Sequence, residues 1–436
     1  MKSILDIVRK GLLSLIFIVL FTPFCISKFT NNDFFPLKGS FNLPLDTIFS
    51  KEKWISGEYQ QKKEEYLNAS FGLRNLFVRT NNQIVYSLFS RAKANGVIVG
   101  KDNYLYEEAY INAFYGKDFL GEDSLSRTIN RLKFISDTLN QLGKQLILIF
   151  APGKASFYPE YIPESYLPQN TKTNYKVLSE RAFAAGLNMI DFNKWFLSKK
   201  QSSEFPLYPK YGIHWSVYGT ALAADSLVKK IDFLRQTISP RIKITKVQMA
   251  PPYDSDYDIA DGMNLLFKCR GFDMAYPQTT IDNSNAKSKH RVLVISDSFY
   301  WGLFNLGISN CFQNDHFWYY NKQVYPESSK QELLTDQLDI KDEINKHDVV
   351  VIMATEATLP RIGWGFIEKT EKLYRGVVDK KEYSSEYYKK VKEMITYIKS
   401  DSKWLNDAVI RAKAKKISLD SNLVLEAMWQ LNNQNK

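Results

Sequence analysis

A serine directly after an apolar strand is the residue best suited to chemistry. Residues 291–295 (RVLVI) lead into Ser296-Asp297-Ser298, and an aromatic helical start follows. Backbone N–H groups at a helix N-terminus favour the negative charge of a tetrahedral intermediate, which suits a nucleophilic Ser298. Asp and Ser are equally common as structural helix caps, so this segment alone leaves both interpretations open. Asp297 is expected to shape the turn.

A serine nucleophile needs a base, and His214 is the candidate. It lies in residues 208–219 (YPKYGIHWSVYG), a glycine-flanked loop that runs into a helix with Ser216 as its N-cap. A histidine on such a loop can reach the end of a neighbouring strand, although local hydrogen bonding explains it equally well. The other histidines are less suitable, because they precede strands or lie in an aromatic stretch: His290, His347 and His316.

Other polar and aromatic residues adjoin predicted strand ends or these two candidates. Lys154 follows one strand and can hold an anionic substrate or an oxyanion, although surface lysines are common. Glu356 follows another strand at the same edge. Trp215 and Trp301 can stack on sugar faces or simply pack. No cofactor or metal site is expected, because the histidines are not spaced as ligands and neither a zinc-type cysteine pair nor a glycine-rich phosphate loop occurs.

The elements that must position these residues alternate between strand and helix. Apolar runs predict buried strands at 145–150, 187–191, 291–295 and 348–353, and leucine and isoleucine spacing predicts a helix over 123–142. This alternation predicts an α/β fold with a doubly wound parallel sheet, whose active groups gather beyond the carboxyl ends of the strands.

The two ends of the chain are predicted to lie outside that domain. Basic residues precede an apolar run at 11–26, so residues 1–27 are interpreted as a membrane anchor or signal sequence. The lack of a small-x-small cleavage site favours an uncleaved anchor, with the rest of the chain extracytoplasmic. We expect a linker and helical stalk at 28–94, the catalytic domain at 95–375 and a C-terminal helical tail at 376–436.

Composition excludes some classes and leaves one question open. The formal net charge is +11, but the lysines are scattered rather than clustered with aromatic residues, so no nucleic-acid partner is expected. Cys269 and Cys311 can pair in an oxidising compartment or remain free.

The ordered motifs GIHWSVYG and VISDSFYWG resemble the alginate O-acetyltransferase (AlgJ/AlgX-like) group of SGNH-hydrolase-like proteins. VIVGKDNYLY and LILIFAPGKASFYPEYIP agree with this resemblance, which covers most of residues 50–370. It implies that Ser298 is the nucleophile and His214 the base. It also implies a periplasmic domain, anchored in the inner membrane, that acetylates a polysaccharide with acetyl groups from a multi-pass membrane acyltransferase of MBOAT type.

The sequence departs from that family at two positions. The family aspartate two residues before the histidine is Gly212 here, and the glycine of the serine motif is Ser296. Loss of the acid of a serine triad costs roughly 10⁴-fold in rate. Another carboxylate can replace it, with Glu356 the best candidate; a backbone carbonyl can orient the histidine; or the protein can be catalytically weak.

Three functions therefore remain after the sequence analysis. The first is O-acetyl transfer to a cell-surface or exported polysaccharide through acetyl-Ser298. The second is a carbohydrate acetylesterase, in which water replaces the sugar hydroxyl. The third is a noncatalytic glycan-binding or assembly protein, which Gly212 suggests.

Overall fold

The strands follow the apolar runs of the sequence, with additions at one edge of the sheet. The computed structural model describes residues 2–29, 35–39, 44–167, 172–376, 385–415 and 419–433. Within these ranges the strands are β1 (Val97–Val99), β2 (Leu105–Glu107), β3 (Gln145–Ala151), β4 (Met189–Asp191), β5 (Arg241–Ala250), β6 (Met274–Asp282), β7 (Arg291–Ser296), β8 (Asn314–Tyr319), β9 (Gln323–Tyr325) and β10 (Val349–Thr355).

The helices connect these strands and extend the chain at both ends. They are α1 (Lys2–Phe29), α2 (Lys51–Ser56), α3 (Glu58–Ser70), α4 (Arg74–Phe89), α5 (Glu108–Phe114), α6 (Glu122–Gln141), α7 (Lys154–Phe157), α8 (Asn174–Ala184), α9 (Phe192–Lys199), α10 (Val217–Arg235), α11 (Asp258–Gly262), α12 (Tyr300–Asn305), α13 (Ile340–Lys346), α14 (Phe366–Tyr374), α15 (Ser385–Ser400), α16 (Ser402–Lys415) and α17 (Leu419–Asn433).

The central sheet has the order β4-β3-β10-β7-β8-β9. Its first five strands are parallel, and β9 pairs antiparallel with β8 at the edge. Side chains of β3 alternate between two apolar layers: Ile147 and Ile149 face one layer, while Leu146 and Leu148 face the other. Helices cover both faces, which explains why β3, β7 and β10 are continuous apolar runs. The predicted α/β fold with a doubly wound parallel sheet is confirmed.

A separate antiparallel ribbon lies between the histidine loop and the serine strand in sequence. β5 pairs with β6, and the connection between them carries the short helix α11. At the start of the domain, β1 and β2 form a short antiparallel hairpin. The ribbon matters for function because its connection supplies a residue to the candidate site.

The N-terminal helix α1 contains the predicted apolar run. Residues 6–27 have a mean hydropathy of 2.0, and this is the one helix of the described ranges that is long and apolar enough to cross a membrane. A signal sequence meets the same criterion. The predicted linker at 28–94 is described in part, and α2, α3 and α4 form its helical portion.

Residues 375–436 form a compact unit of their own. Its helices α15, α16 and α17 bury a small apolar core that includes Val391, Ile398 and Leu423. A helical tail was expected in this part of the chain, and α15, α16 and α17 are its described helices. The predicted domain limits themselves remain predictions.

Candidate active site

The serine turn is held in place from the neighbouring strand. The Asp297 carboxylate accepts a hydrogen bond from the backbone N–H of Phe299 at 3.1 Å, and its other oxygen accepts one from the N–H of Thr355 at 2.9 Å and one from the Thr358 hydroxyl at 2.6 Å. Asp297 thus ties the end of β7 to the end of β10, as expected of a turn-shaping residue, and leaves the Ser298 side chain at the rim of the sheet.

The histidine loop is fixed at the start of α10. The Ser216 hydroxyl accepts a hydrogen bond from the Gly219 N–H at 2.9 Å and donates one to the Pro206 carbonyl at 2.7 Å. The His214 ring packs against the buried Phe299 ring, with centroids 4.8 Å apart. Since Phe299 directly follows the serine, this contact couples the position of the imidazole to the serine turn.

These two elements bring His214 and Ser298 together. His214 Nε2 lies 3.0 Å from Ser298 Oγ, although 84 residues separate them in the chain. On the other side of the ring, Nδ1 lies 2.8 Å from Oδ2 of Asp258. This is the geometry of a serine, a base and an orienting acid, in which the carboxylate fixes the tautomer that leaves Nε2 free to accept the serine proton.

The acid comes from a different element than expected. Asp258 begins α11, and its Oδ1 accepts a hydrogen bond from the Ile213 N–H at 2.9 Å, so the carboxylate binds both the loop backbone and the imidazole. A Cβ atom at Gly212 would lie 2.2 Å from the Ser255 carbonyl oxygen. The segment before Asp258 therefore occupies the space that an aspartate side chain at position 212 would need.

Glu356, the acid suggested by the sequence, lies elsewhere. Its carboxylate is buried and accepts hydrogen bonds from the Ser156 hydroxyl, at 2.6 Å, and from the Asn193 side-chain amide. Burial raises the pKa of Glu356 to about 7, and these hydrogen bonds offset only part of that rise. The short helix that follows β10 directs this side chain toward α7 and α9, so Glu356 does not orient His214.

Lys154 also takes a different position from the expected one. It is 1% exposed, and Nζ donates hydrogen bonds to the carbonyl oxygens of Lys210 at 2.8 Å and Gly212 at 2.7 Å. Burial holds the pKa of Lys154 well below its usual range. The lysine therefore braces the loop that carries His214, instead of presenting its amine to a substrate or an oxyanion.

The two tryptophans differ in exposure. Trp215 is buried and packs against Phe192, Phe196 and Phe299. Trp301 is half-buried, and its ring packs edge-on against Tyr325. Both line a cavity of about 370 Å³ that also exposes His214 and Ser298. The cavity leaves the Ser298 side chain accessible to a small ligand, and Trp301 is the tryptophan available to such a ligand.

Tyr320 was not identified from the sequence. It follows β8, and its hydroxyl lies close to Ser298. Burial raises the pKa of Tyr320 to about 12, so the hydroxyl keeps its proton and can donate a hydrogen bond to an oxygen at this position. The sequence did not predict β8, because its residues belong to the aromatic stretch around His316, to which no function was assigned.

Asp258 was missed because nothing local marks it. The stretch 254–261 contains Asp254, Asp256, Asp258 and Asp261, and any of these could face the histidine. The acid-rich stretch, in which Asp258 lies 44 positions from His214, was the feature of the sequence that could have suggested an orienting acid.

Comparison with known proteins identifies the relatives of this domain. Residues 97–258 match a family model described as "SGNH hydrolase-like domain, acetyltransferase AlgX". The span includes His214 and ends at Asp258, while Ser298 lies beyond it. This match confirms the resemblance to AlgJ/AlgX-like SGNH-hydrolase-like proteins.

Individual relatives are distant. A Pseudomonas putida protein named "Probable alginate O-acetylase AlgJ" is 23% identical over 205 residues, which are 46% of this chain and 51% of the relative. The chain thus spans about half the length of this curated relative. Among solved structures, the O-acetyltransferase domain of Pseudomonas putida AlgJ has a TM-score of 0.42 at 17% identity, covering 64% of this chain and 99% of that one. Pseudomonas aeruginosa AlgX has a TM-score of 0.41 at 12% identity, covering 62% and 67%.

Proposed function

We propose that this chain, which carries an AlgX-like SGNH-hydrolase domain, transfers O-acetyl groups to a cell-surface or exported polysaccharide through an acetyl-Ser298 intermediate. The observation that carries the proposal is the continuous contact from Asp258 through His214 to Ser298, at 2.8 and 3.0 Å. The relative named "Probable alginate O-acetylase AlgJ" supports acetyl as the transferred group and a polysaccharide as the acceptor.

In the first half-reaction, Ser298 becomes acetylated. His214 Nε2 takes the hydroxyl proton while Oγ attacks the carbonyl carbon of the acetyl ester, and Asp258 stabilises the imidazolium that results. The Tyr320 hydroxyl, which lies at Ser298, donates a hydrogen bond to the developing oxyanion. When the intermediate collapses, His214 returns the proton to the leaving oxygen of the donor, and the acetyl group remains on Oγ.

In the second half-reaction, the sugar hydroxyl replaces the donor. His214 takes the proton of the acceptor hydroxyl, whose oxygen attacks the acetyl carbonyl. Collapse of this intermediate breaks the bond to Oγ, and the imidazolium gives its proton back to Ser298. The half-buried ring of Trp301 lines the cavity beside the serine, where a sugar ring can stack.

The proposed location follows from the N-terminal helix. The apolar part of α1 holds the chain in the inner membrane through residues 11–26, and the basic residues before it keep the N-terminus cytoplasmic. The catalytic domain then faces the periplasm. A multi-pass membrane acyltransferase of MBOAT type supplies the acetyl group at the membrane surface.

The two alternative functions differ from this proposal in specific ways. An acetylesterase would use the same three residues with water as the acceptor. A noncatalytic glycan-binding role was suggested by Gly212, and the carboxylate of Asp258 beside His214 removes that reason for it.

The experiment that tests the proposal uses the full chain in detergent with p-nitrophenyl acetate as donor. Mass spectrometry of the peptide containing Ser298 should detect the acetyl group after rapid acid quenching. Addition of oligosaccharides from deacetylated alginate should move the acetyl group to the sugar. Release of acetate alone at every acceptor concentration would instead assign the protein as an esterase.

The controls separate catalysis from surface acetylation. Ser298→Ala and His214→Ala should abolish the acetyl-enzyme. Ser226→Ala should not, because that hydroxyl only bonds the Leu222 carbonyl in its own helix. If all four proteins release p-nitrophenol at the same rate, the catalytic assignment is wrong.

A further inference from the structure

A second cluster of chemically reactive side chains lies between β8 and α13, on one face of the sheet. His316 is on β8, Glu343 is on α13, and His347 directly follows α13. One ligand atom from each of these residues lies within 4.8 Å of the other two. His316 pairs with Leu293 in the middle of β7, whereas Ser298 lies beyond the carboxyl end of that strand, so the cluster is separate from the active site.

One ring nitrogen of His347 is buried and makes no hydrogen bond to the described residues. The side chain is 0% exposed, and its Nδ1 lies 2.6 Å from the Glu343 backbone carbonyl, to which it donates a hydrogen bond. Nε2 therefore carries a lone pair, and within the described part of the chain it has no hydrogen-bond partner. An unsatisfied buried polar atom is costly, and this one belongs to the cluster.

The other two members present a nitrogen and a carboxylate oxygen to the same place. His316 Nδ1 lies 2.8 Å from Glu343 Oε2, and Glu343 is 2% exposed. The other carboxylate oxygen, Glu343 Oε1, accepts a hydrogen bond from Lys346 Nζ at 2.7 Å, which leaves Oε2 for the cluster.

The outward-facing atoms complete the pattern of a metal centre. The second nitrogen of His316, Nε2, lies 3.2 Å from Glu327 Oε1, and the second nitrogen of His347 bonds a backbone carbonyl. Histidine ligands of metals almost always donate their other N–H to a carboxylate or a backbone carbonyl, which fixes the tautomer and orients the ring. Both histidines here have that outer partner, and both leave the remaining nitrogen for the cluster.

We propose that His316 Nδ1, Glu343 Oε2 and His347 Nε2 bind a divalent transition-metal ion of the zinc class. Zinc commonly binds two imidazoles and one carboxylate, whereas magnesium and calcium prefer oxygen ligands to imidazole nitrogens. Zinc bonds of roughly 2.0–2.2 Å place tetrahedral ligand atoms about 3.4 Å apart. His316 Nδ1 and Glu343 Oε2, now 2.8 Å apart, therefore separate slightly to admit the ion. The ion displaces the proton that His316 Nδ1 shares with Glu343, and it tethers β8, the strand next to the edge strand β9, to α13.

No metal site was expected from the sequence, because the histidines are not spaced along the chain as metal ligands usually are. Glu343 and His347 are one helical turn apart, but the third ligand comes from a strand 27 residues earlier than Glu343. The side chain of His316 is 15% exposed and that of Glu327 is 40% exposed, which gives an ion a route into the cluster.

The test uses the untagged full chain, stripped with a chelator and titrated with Zn²⁺ against a chromophoric competitor. One equivalent should bind. His316→Ala and His347→Ala should each weaken binding by more than about 100-fold, and Glu327→Gln, which alters only the outer partner, by about 10- to 100-fold. His290→Ala is the matched control, because His290 is also buried with an Nε2 that has no hydrogen-bond partner among the described residues, but it lies outside the cluster. The His290→Ala protein should bind Zn²⁺ as tightly as the wild type.

A second measurement does not depend on the folding of the variants. Stoichiometric Zn²⁺ should raise the thermal unfolding midpoint of the stripped wild-type protein, because an ion that binds only the folded state stabilises it. Co²⁺ in place of Zn²⁺ should give the visible absorption of a low-symmetry site with nitrogen and oxygen ligands. A wild-type protein that binds no ion, or binding that survives in both folded histidine variants, would overturn the proposal.

Discussion

The Asp258 carboxylate lies 2.8 Å from His214 Nδ1, although the two residues are 44 positions apart. The same carboxylate accepts a hydrogen bond from the Ile213 N–H, so it holds the ring and the backbone of the histidine loop together. The position two residues before the histidine is a glycine whose space is filled by the Ser255 backbone. The acid thus reaches the imidazole from α11 instead of from the loop itself.

Asp258→Asn tests this relationship directly. The amide keeps a hydrogen-bond acceptor for Ile213 but no longer stabilises the imidazolium or selects the productive tautomer, so the rate of Ser298 acetylation should fall by about 10⁴-fold. Rapid-quench mass spectrometry measures that rate. Asp261→Asn changes an acid in the same short helix and should leave the rate unchanged. A loss of less than tenfold for Asp258→Asn would contradict the assignment.

Gly212→Ala tests whether the loop can hold any side chain at the position of the family aspartate. The added Cβ would meet the Ser255 carbonyl oxygen at 2.2 Å, and such overpacking costs roughly 1–3 kcal/mol of unfolding free energy. Denaturant unfolding measures the loss. Gly262→Ala is the matched control, since its Cβ meets no atom within 4 Å. We also expect Gly212→Asp to fail to rescue Asp258→Ala; recovered activity in that double variant would show that the loop can supply the acid.

The sequence predicts those residues of the site whose immediate neighbours in the chain form a recognisable pattern. Ser298 follows a buried strand and His214 precedes a capped helix, so each has a recognisable position in an α/β sheet. The four strands predicted from apolar runs are present as β3, β4, β7 and β10, within two residues at each end. Buried parallel strands lack polar alternation, which makes them visible in the sequence.

The parts that escaped prediction depend on tertiary packing. Asp258 reaches His214 because the connection between β5 and β6 packs on the histidine loop, and no residue pattern records that contact. Lys154 follows its strand as predicted, but the loop at 210–212 covers its amine. Glu356 also follows its strand, and the direction of the next turn sends its carboxylate to Asn193.

Lys154→Met tests the brace beneath the histidine loop. The substitution conserves the apolar part of the side chain and removes the hydrogen-bond donor to the carbonyls of Lys210 and Gly212. A buried carbonyl left without a hydrogen-bond partner lowers the free energy of unfolding by roughly 1–3 kcal/mol. The loop should relax, and the acetylation rate should fall even where the protein is still folded.

The measurement for Lys154→Met is single-turnover acetylation as a function of donor concentration. A positioning role predicts a lower maximal rate with little change in the donor concentration at half-maximal rate. Lys200→Met is the control, because Lys200 bonds Phe157 and Glu160 outside the histidine loop. If Lys154 instead bound the donor, the half-saturating concentration would rise and the maximal rate would persist.

Glu356→Gln should change how stability depends on pH. The carboxyl has a pKa of about 7 in the folded protein against an ordinary value of 4.5, so the folded chain binds more protons than the unfolded chain between these values. The contribution of Glu356 to the free energy of unfolding is therefore full below pH 4.5 and is lost as the pH rises through 7, a difference on the order of 3 kcal/mol. The neutral glutamine has no such dependence.

Denaturant unfolding of the wild type and of Glu356→Gln from pH 4.5 to 8 measures this difference. Burial also raises the pKa of Asp256 to about 7, and it raises the pKa values of Glu107, Asp118 and Asp315. The wild-type curve therefore contains several contributions of the same sign. Subtraction of the two curves isolates that of Glu356, and the double variant with Asp256→Asn should be flatter still. Parallel curves for the wild type and Glu356→Gln would mean that the carboxylate ionises in the folded protein as easily as in the unfolded chain, which its burial between α7 and α9 argues against.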